Sequence, residues 1–508
     1  MRKLFFQSII LAILLSLLAA CAPVAGPAGD GASQEKDIIT LVLVGHFDRG
    51  SGHPWERMVN EYNEMQDEVE VQWVEIPPTE AWFQWLGTRL AAGNPPDVMN
   101  LSVAGLYGAV PGLAGDIPLV VDSTPWMDEE YLADLSWCQD SMQPYGKRII
   151  WPMEVGLGEP MMLNVGAAEE AGIDWQKIQR EGWTLEEFRE VAKALTKDTD
   201  GDGEIDQWGY ANALEWWRGL MEGAMHSAGI PSNSGPGFYM WGNEVDWAGD
   251  GFVAWLDLFQ KMVLEDGSIP EAALALPPTQ PGHELWYNGE AIMTLGYPAM
   301  LAEMEGWNEK IDSGEIEGNR IEWEATLLPL PHMPPFEAAV LLRCHGLSVF
   351  KQEPYKGDEH TAHAMEFARF LSETDNMKEF TDFRRGVPAR ISLLGDAAAL
   401  ADPRVRPVYE WKIPRATCTF PMGHPLAIDF RLNISNKWFV DVVRGSATPE
   451  EAVAAMAEEV QENLDEWVME NPELAEIWAT PWRADWPDCY YEAGSAYPEG
   501  IDADTILE

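Results

Sequence analysis

Ile38-Ile39-Thr40-Leu41-Val42-Leu43-Val44 is an apolar run rich in β-branched residues, and it opens the stretch from which the fold is read. Behind it, Trp55, Met58, Val59 and Tyr62 recur at the spacing of one helix face. Val69, Val71 and Trp73 then alternate with polar or charged neighbours, as a half-buried strand does. A second helix is predicted around Trp82 to Ala92, closed by the breaker Gly93-Asn94-Pro95-Pro96, and a further strand runs from Asp97 to Leu101. The order β-α-β-α-β argues for an α/β domain with a largely parallel sheet. Ligands of such sheets sit at the carboxyl ends of the strands. Those ends lead here into Gly45-His46-Phe47-Asp48 and Asn100-Leu101-Ser102.

Upstream lies an export address. Arg2 and Lys3 form a basic start, Ile9 to Leu18 an apolar run, and Leu18-Ala19-Ala20-Cys21 a small-residue cleavage site. This pattern resembles the lipobox of bacterial lipoproteins. The resemblance implies that Cys21 becomes the acylated first residue, so that contact with the membrane is through the lipid anchor only, facing the periplasm or cell exterior. The apolar run is shorter than the roughly 20 residues a bilayer core requires. Residues 1–21 are thus read as the signal segment and 22–37 as a flexible tether; an ordinary cleaved signal or a short anchor helix is the alternative.

A chain of 508 residues is too long for one hydrophobic core, so two domains are expected. Its 46% hydrophobic share is that of a packed globular protein. Its charge is extreme: 33 basic against 84 acidic residues leave −51. Such a surface repels phosphate backbones, which excludes nucleic acid as a partner. Apart from Cys21, the cysteines Cys138, Cys344, Cys418 and Cys489 stand singly. They permit two disulfides in three connectivities, or free buried thiols, and their spacing argues against zinc.

Two helix starts are written out in capping boxes. Thr184 with Glu187 precedes the stripe Leu185, Phe188, Val191, Ala192 and Leu195. Thr448 with Glu451, and Pro449 in the first turn, precedes Val453, Met456, Val460, Leu464 and Trp467. From Asn471 the tail is rich in Trp, Pro and acid and reads as irregular surface structure.

Asp198, Asp200, Asp202, Glu204 and Asp206, with Gly203, have the spacing of a calcium loop, in which alternate carboxylates turn toward one centre. Where an EF-hand carries its bidentate Glu this loop has Gly209, so a structural Ca2+ would be held weakly or closed by another acid. An empty acidic turn is the competing reading, and no cofactor is required. Signatures of enzymes are absent: there is no GxSxG, HExxH, GxxxxGK[ST] or GxGxxG. His360-Thr-Ala-His363 lacks the Glu of a zinc motif and is read as surface decoration on a helix. The 24 tryptophans exceed the 17 phenylalanines and 13 tyrosines, and a Trp face can stack on a sugar ring. Trp151, Trp216, Trp217 and Trp241 lie in loops or at strand ends.

Several segments, taken in order, resemble the family 1 extracellular solute-binding proteins, the maltose-binding-protein-like receptors of carbohydrate ABC importers. Thr88-Arg-Leu-Ala-Ala-Gly-Asn-Pro-Pro-Asp-Val-Met99 is similar to the family's LxxGxxPDV segment, and Tyr145-Gly-Lys-Arg-Ile-Ile-Trp-Pro152 to its approach to the hinge. Tyr287-Asn-Gly-Glu-Ala-Ile-Met293 resembles FxxGxxAM, and Arg385-Gly-Val-Pro-Ala-Arg390 resembles GxxPxR. The resemblance implies an α/β, two-lobed type II periplasmic-binding-protein fold with a hinge. One lobe takes 38–152 and 326–390, the other 153–325 and 391–470, and 471–508 is a C-terminal extension. It also implies a ligand site between the lobes built from Phe47, Asp48, Ser102, Trp151, Glu154, Trp216, Trp217, Tyr297, Arg343, His345 and His424. Met161-Met162 stands where the family usually has an aromatic pair. The function implied is capture of a small-molecule carbohydrate, by a monomer, for the permease subunits of an ABC transporter, with no chemistry on the ligand. The alternatives are an exported carbohydrate-acting enzyme, a receptor for glycerol phosphate or peptide, and a calcium-dependent adhesion lipoprotein.

Overall fold

The computed structural model describes residues 37–43, 54–76, 82–102, 120–135, 148–156, 160–212, 250–271, 283–334, 340–341, 343–352, 356–417, 426, 434–478 and 503–507. In chain order the strands are β1 (Asp37–Leu43), β2 (Val69–Glu75), β3 (Val98–Ser102), β4 (Trp151–Gly156), β5 (Met161–Asn164) and β6 (Trp208–Tyr210). They continue with β7 (Ala291–Leu295), β8 (Ala325–Leu328), β9 (Val340–Leu341), β10 (Arg343–Val349), β11 (Val387–Pro388) and β12 (Ala416–Thr417). A six-stranded sheet has the order β11-β4-β10-β3-β1-β2, and a four-stranded sheet the order β6-β7-β5-β8. Each is flanked by helices, so the chain forms two lobes.

The opening stretch folds as its periodicity predicts. Helix Pro54–Met65 buries Trp55, Met58, Val59 and Tyr62, and β1 pairs in parallel with β3 through Leu41 and Val98. The expectation of a largely parallel sheet is corrected. β10 lies antiparallel between β3 and β4, and β11 is antiparallel to β4. The reason is topological: β10 returns from the other lobe and enters at the end where β3 finishes, so it must run the opposite way.

In the four-stranded sheet the side chains obey the period of two. Met161, Leu163 and Leu328 face a core made by helices Leu185–Leu195, Asp250–Leu264, Asn436–Val443 and Pro449–Glu470. There Trp255 stacks on Phe259 at 4.4 Å, and burying each such ring contributes about 2–3 kcal/mol. Met162 and Leu327 face the opposite way, with Met300, Leu301 and Met304 of helix Ala299–Ser313. Both capping boxes form. Thr184 Oγ1 accepts from the Glu187 N–H at 3.1 Å while Glu187 accepts from the Thr184 N–H at 2.7 Å, and Thr448 and Glu451 do the same.

Two further expectations are overturned. The tail is not wholly irregular: helix Pro472–Trp478 follows Asn471, and helix Ala503–Leu507 seats Ile506 in the same core as Leu393 and Leu394. An apolar Ile506-Leu507 pair in an acidic segment has little to gain in water and docks. Nor is His360 surface decoration. It is 3% exposed, and its Nε2 lies 2.6 Å from Asp97 Oδ1. Asp97 Oδ2 accepts from the Thr40 N–H at 2.8 Å, so one buried carboxylate ties β1, the start of β3 and helix Asp358–Leu371 together. A buried charge survives only with such partners. Among the described residues no helix is long and apolar enough to cross a membrane.

Candidate functional site

The crossovers between the sheets locate the site. β4 leaves the first sheet at Gly156, and β10 enters it at Arg343, which pairs with Gly156. His345 pairs with both Glu154 and Ser102, so the carboxyl end of β3 lies at this same edge. In the second sheet β5 enters at Met161 and β8 leaves at Leu328; Met161 pairs with Leu328 and with Leu295, the carboxyl end of β7. The carboxyl ends of β3 and β7 are therefore both turned toward the crossovers, and so toward the opposite lobe. In open α/β sheets this is where a crevice accepts ligand.

Against that edge, the predicted site residues divide. Ser102, Arg343 and His345 sit on it by register, and His345 is half-buried. Tyr297 follows β7 in Gly296-Tyr297-Pro298 and is half-buried. Phe47, Asp48, Trp216, Trp217 and His424 lie outside the described residues, as does Cys21.

Two expectations are corrected. Trp151 begins β4, five residues before the crossover, and is fully buried; its indole N–H points to Met365 Sδ at 3.5 Å, and its ring meets Tyr131 edge-on at 5.4 Å. It packs the core of the first lobe and offers no face to a ligand. Glu154 is at the right edge, but its carboxylate accepts from Arg384 Nε at 2.6 Å and is 5% exposed. Gly386 lies so close that a Cβ there would overlap this carboxylate. The Glu154 carboxylate therefore pins β4 to helix Thr374–Arg384.

Sequence reasoning missed the charged seam beside this pin. Arg385 reaches Glu305 Oε2 at 2.8 Å and Asp402 Oδ2 at 3.1 Å. Arg404 in turn reaches Glu305 Oε1 at 2.8 Å and Asp402 Oδ2 at 2.7 Å. The Arg404 carbonyl accepts from Leu327 N–H and Thr326 Oγ1, which docks this ring on β8. Arg385, by contrast, caps helix Thr374–Arg384, which packs beside β4. Its φ of 53° is the one positive value on a non-glycine among the described residues, a conformation costing about 1–2 kcal/mol. Burial pushes the Asp402 carboxyl up, but bonds from Arg404 and the charge of Arg385 outweigh it and hold it below the usual carboxylate range. Asp402 and Arg404 meet locally, two residues apart, but no signal in the sequence brings Glu305 and Arg385 to them.

The acidic loop is built differently. Asp198 accepts from the N–H groups of Gly201 at 2.6 Å and Gly203 at 2.8 Å, both glycines having positive φ. Asp206 accepts from Thr199 N–H at 2.9 Å and Thr199 Oγ1 at 2.6 Å, and these bonds hold its carboxyl below the usual range. Oxygens of Asp198, Asp200 and Asp206 lie within 4.8 Å of one another and can hold a metal ion. Asp202 and Glu204 stand outside that group; Asp202 accepts instead from the Glu204 N–H at 2.9 Å.

A family model described as bacterial extracellular solute-binding protein matches residues 57–407. No curated protein matches the sequence significantly. Among solved structures, the chain is similar to the ABC substrate-binding protein Lmo0181 from Listeria monocytogenes in complex with cycloalternan. The identity is 17%, with 85% of this chain and 100% of that chain covered and a TM-score of 0.63. It is also similar to the GacH receptor of Streptomyces glaucescens, solved unliganded and with acarbose: 14% identity, 85% and 99% covered, TM-score 0.61. A Thermus thermophilus maltotriose binding protein bound with maltotriose matches at 14% identity, 84% and 100% covered, TM-score 0.61. At these identities the likeness is one of fold.

Proposed function

We propose a function from one premise: the chain belongs to the bacterial extracellular solute-binding proteins. It captures a sugar or oligosaccharide between its lobes, outside the cytoplasm, and hands it unchanged to the permease of an ABC importer. The observation that carries this reading is the opposition of the two carboxyl edges, with a half-buried tyrosine ring on one and Ser102, Arg343 and His345 on the other. A flat ring removes one sugar face from water, while polar groups bond the hydroxyls in fixed directions. Phe47, Asp48, Trp216, Trp217 and His424 complete the binding set. Ligands of the structural relatives, cycloalternan, acarbose and maltotriose, support the carbohydrate class.

In this reading one lobe takes 38–152 and 326–390, the other 153–325 and 391–470, with β4 running across the first boundary. Ligand bound to both edges favours the closed relation of the lobes, because only that relation satisfies it on both sides. Cys21 carries the lipid, and Ca2+ occupies the loop of Asp198, Asp200 and Asp206 as a structural ion, supported by the spacing of those carboxylates.

A thermal-shift series on the purified protein with maltotriose, acarbose, tagatose and cycloalternan tests the function. A ligand that binds only the folded state at a hundred times its Kd adds about 2.7 kcal/mol of stability. We expect a rise in Tm with at least one of them and recovery of that sugar unaltered. An unmoved Tm across the series, or a cleaved sugar, removes the reading.

A further inference from the structure

One buried acid, unused by the function above, touches the site. Glu303 lies in helix Ala299–Ser313, is 3% exposed, and is flanked in sequence by Met304, a residue of the buried core. Its Oε2 accepts from Tyr287 Oη at 2.7 Å and from Tyr297 Oη at 3.5 Å. Removing a carboxylate from water costs several kcal/mol, and an apolar residue of the same volume would fill this space more cheaply. Its bonds to two phenols, one of them on the crevice edge, give the acid a second purpose.

We propose that Glu303 is a positioning residue for Tyr297, holding its ring as a preset stacking wall for a pyranose. The proposal rests on the carbohydrate reading above. Three contacts set the ring. Gly296 packs so tightly on Met300 and Met162 that a Cβ there would overlap both, which fixes where the backbone turns out of β7. His283, itself held by Nε2 against the Leu295 carbonyl at 2.9 Å, meets the ring edge-on at 5.7 Å. Glu303 takes the hydroxyl. With that O–H donated inward, Tyr297 offers its ligand a ring face in place of a donor, which suits the C–H face of a sugar. The gain is preorganisation: a ring already ordered does not have to lose its freedom when ligand arrives.

Titration calorimetry on the purified protein tests this, with the tightest binder among maltotriose, acarbose, tagatose and cycloalternan as probe. Tyr297→Ala removes the wall and is expected to weaken binding more than tenfold. Tyr297→Phe and Glu303→Met each cut the tether and are expected to weaken it about five- to tenfold, the factor that ordering one side chain represents. The double variant should be no weaker than either single one, and Glu303→Gln, which keeps an acceptor, should stay near the parent Kd. Phe259→Leu, in the core behind the other sheet face, lowers Tm and leaves Kd unchanged, which separates positioning from general destabilisation. Should Glu303→Met fail to fold, Tyr297→Phe carries the test alone, since Tyr287 still serves the buried acid. Parent affinity in Tyr297→Phe and Glu303→Met beside a loss in Tyr297→Ala overturns the positioning role and leaves the site intact. Losses that multiply in the double variant overturn it too. Parent affinity in Tyr297→Ala removes Tyr297 from the site, and absence of binding across all four sugars removes the carbohydrate reading; the proposal goes with either.

Discussion

The acidic loop and the charged seam both gather carboxylates, and they satisfy them in opposite ways. In the loop, Asp198 and Asp206 are bonded by N–H groups three to seven residues away, and every carboxylate faces water. In the seam, Glu305 is bonded by Arg385 and Arg404, 80 and 99 residues distant, and the Asp402 side chain is 4% exposed. Acids that solvate themselves locally cost the fold little and are free to take an ion. Asp402, the acid taken out of water, needs two cations, Arg404 two residues on and Arg385 from the end of another helix, and the same pair reaches Glu305 in distant chain, so its loss is felt beyond its own turn.

The strongest way to break this contrast is Asp402→Ala, which leaves Arg385 and Arg404 facing each other across a partly buried space. We expect it to lower unfolding free energy by about 3 kcal/mol, read by urea denaturation, the lower end of the range for breaking a buried pair because both guanidinium groups keep some contact with water. A loss under about 1 kcal/mol would place the seam with ordinary surface pairs. Next comes acid. The Asp402 carboxyl is held low in the folded state, so its contribution is present above the unfolded value of about 3.9 and is lost as pH falls through the lower folded value. Stability plotted from pH 5 down to pH 2 should fall less steeply in Asp402→Asn than in the parent. Equal slopes would take Asp402 out of the acid limb. The smallest effect is expected in the loop. Asp198→Asn should change stability without calcium by no more than about 0.5 kcal/mol, yet abolish any rise in Tm that calcium produces. If the parent shows no calcium-dependent rise, the loop is a self-bonded acidic turn.

The same division decides how much of the molecule could be read before its structure was known. The helix of Trp55 and Tyr62, both capping boxes and the turns at Gly201 and Gly203 rest on contacts within one or two helical turns, and they appear where their spacing puts them. Only family resemblance points to Tyr297, and no local pattern marks its contact with Glu303, although the two stand six residues apart. Nothing in the helical pattern distinguishes a Glu that turns inward from the many that turn out. Family resemblance places Trp151 and Glu154 in the cleft. Their neighbours Met365 and Arg384, 214 and 230 residues away, make one core and the other an ion pair.

What the linear order determined by itself is therefore the local grammar: element types, caps, the acid turn and an α/β alternation, each written in periodicities and hydrogen bonds that span a few residues. Tertiary structure alone decided which way β10 runs, that His360 meets Asp97 across 263 residues, and which acids are pinned instead of open to a ligand. Burial is a property of what other chain lands on a residue, and the cost of an unpaired charge out of water forces partners that no short-range pattern encodes.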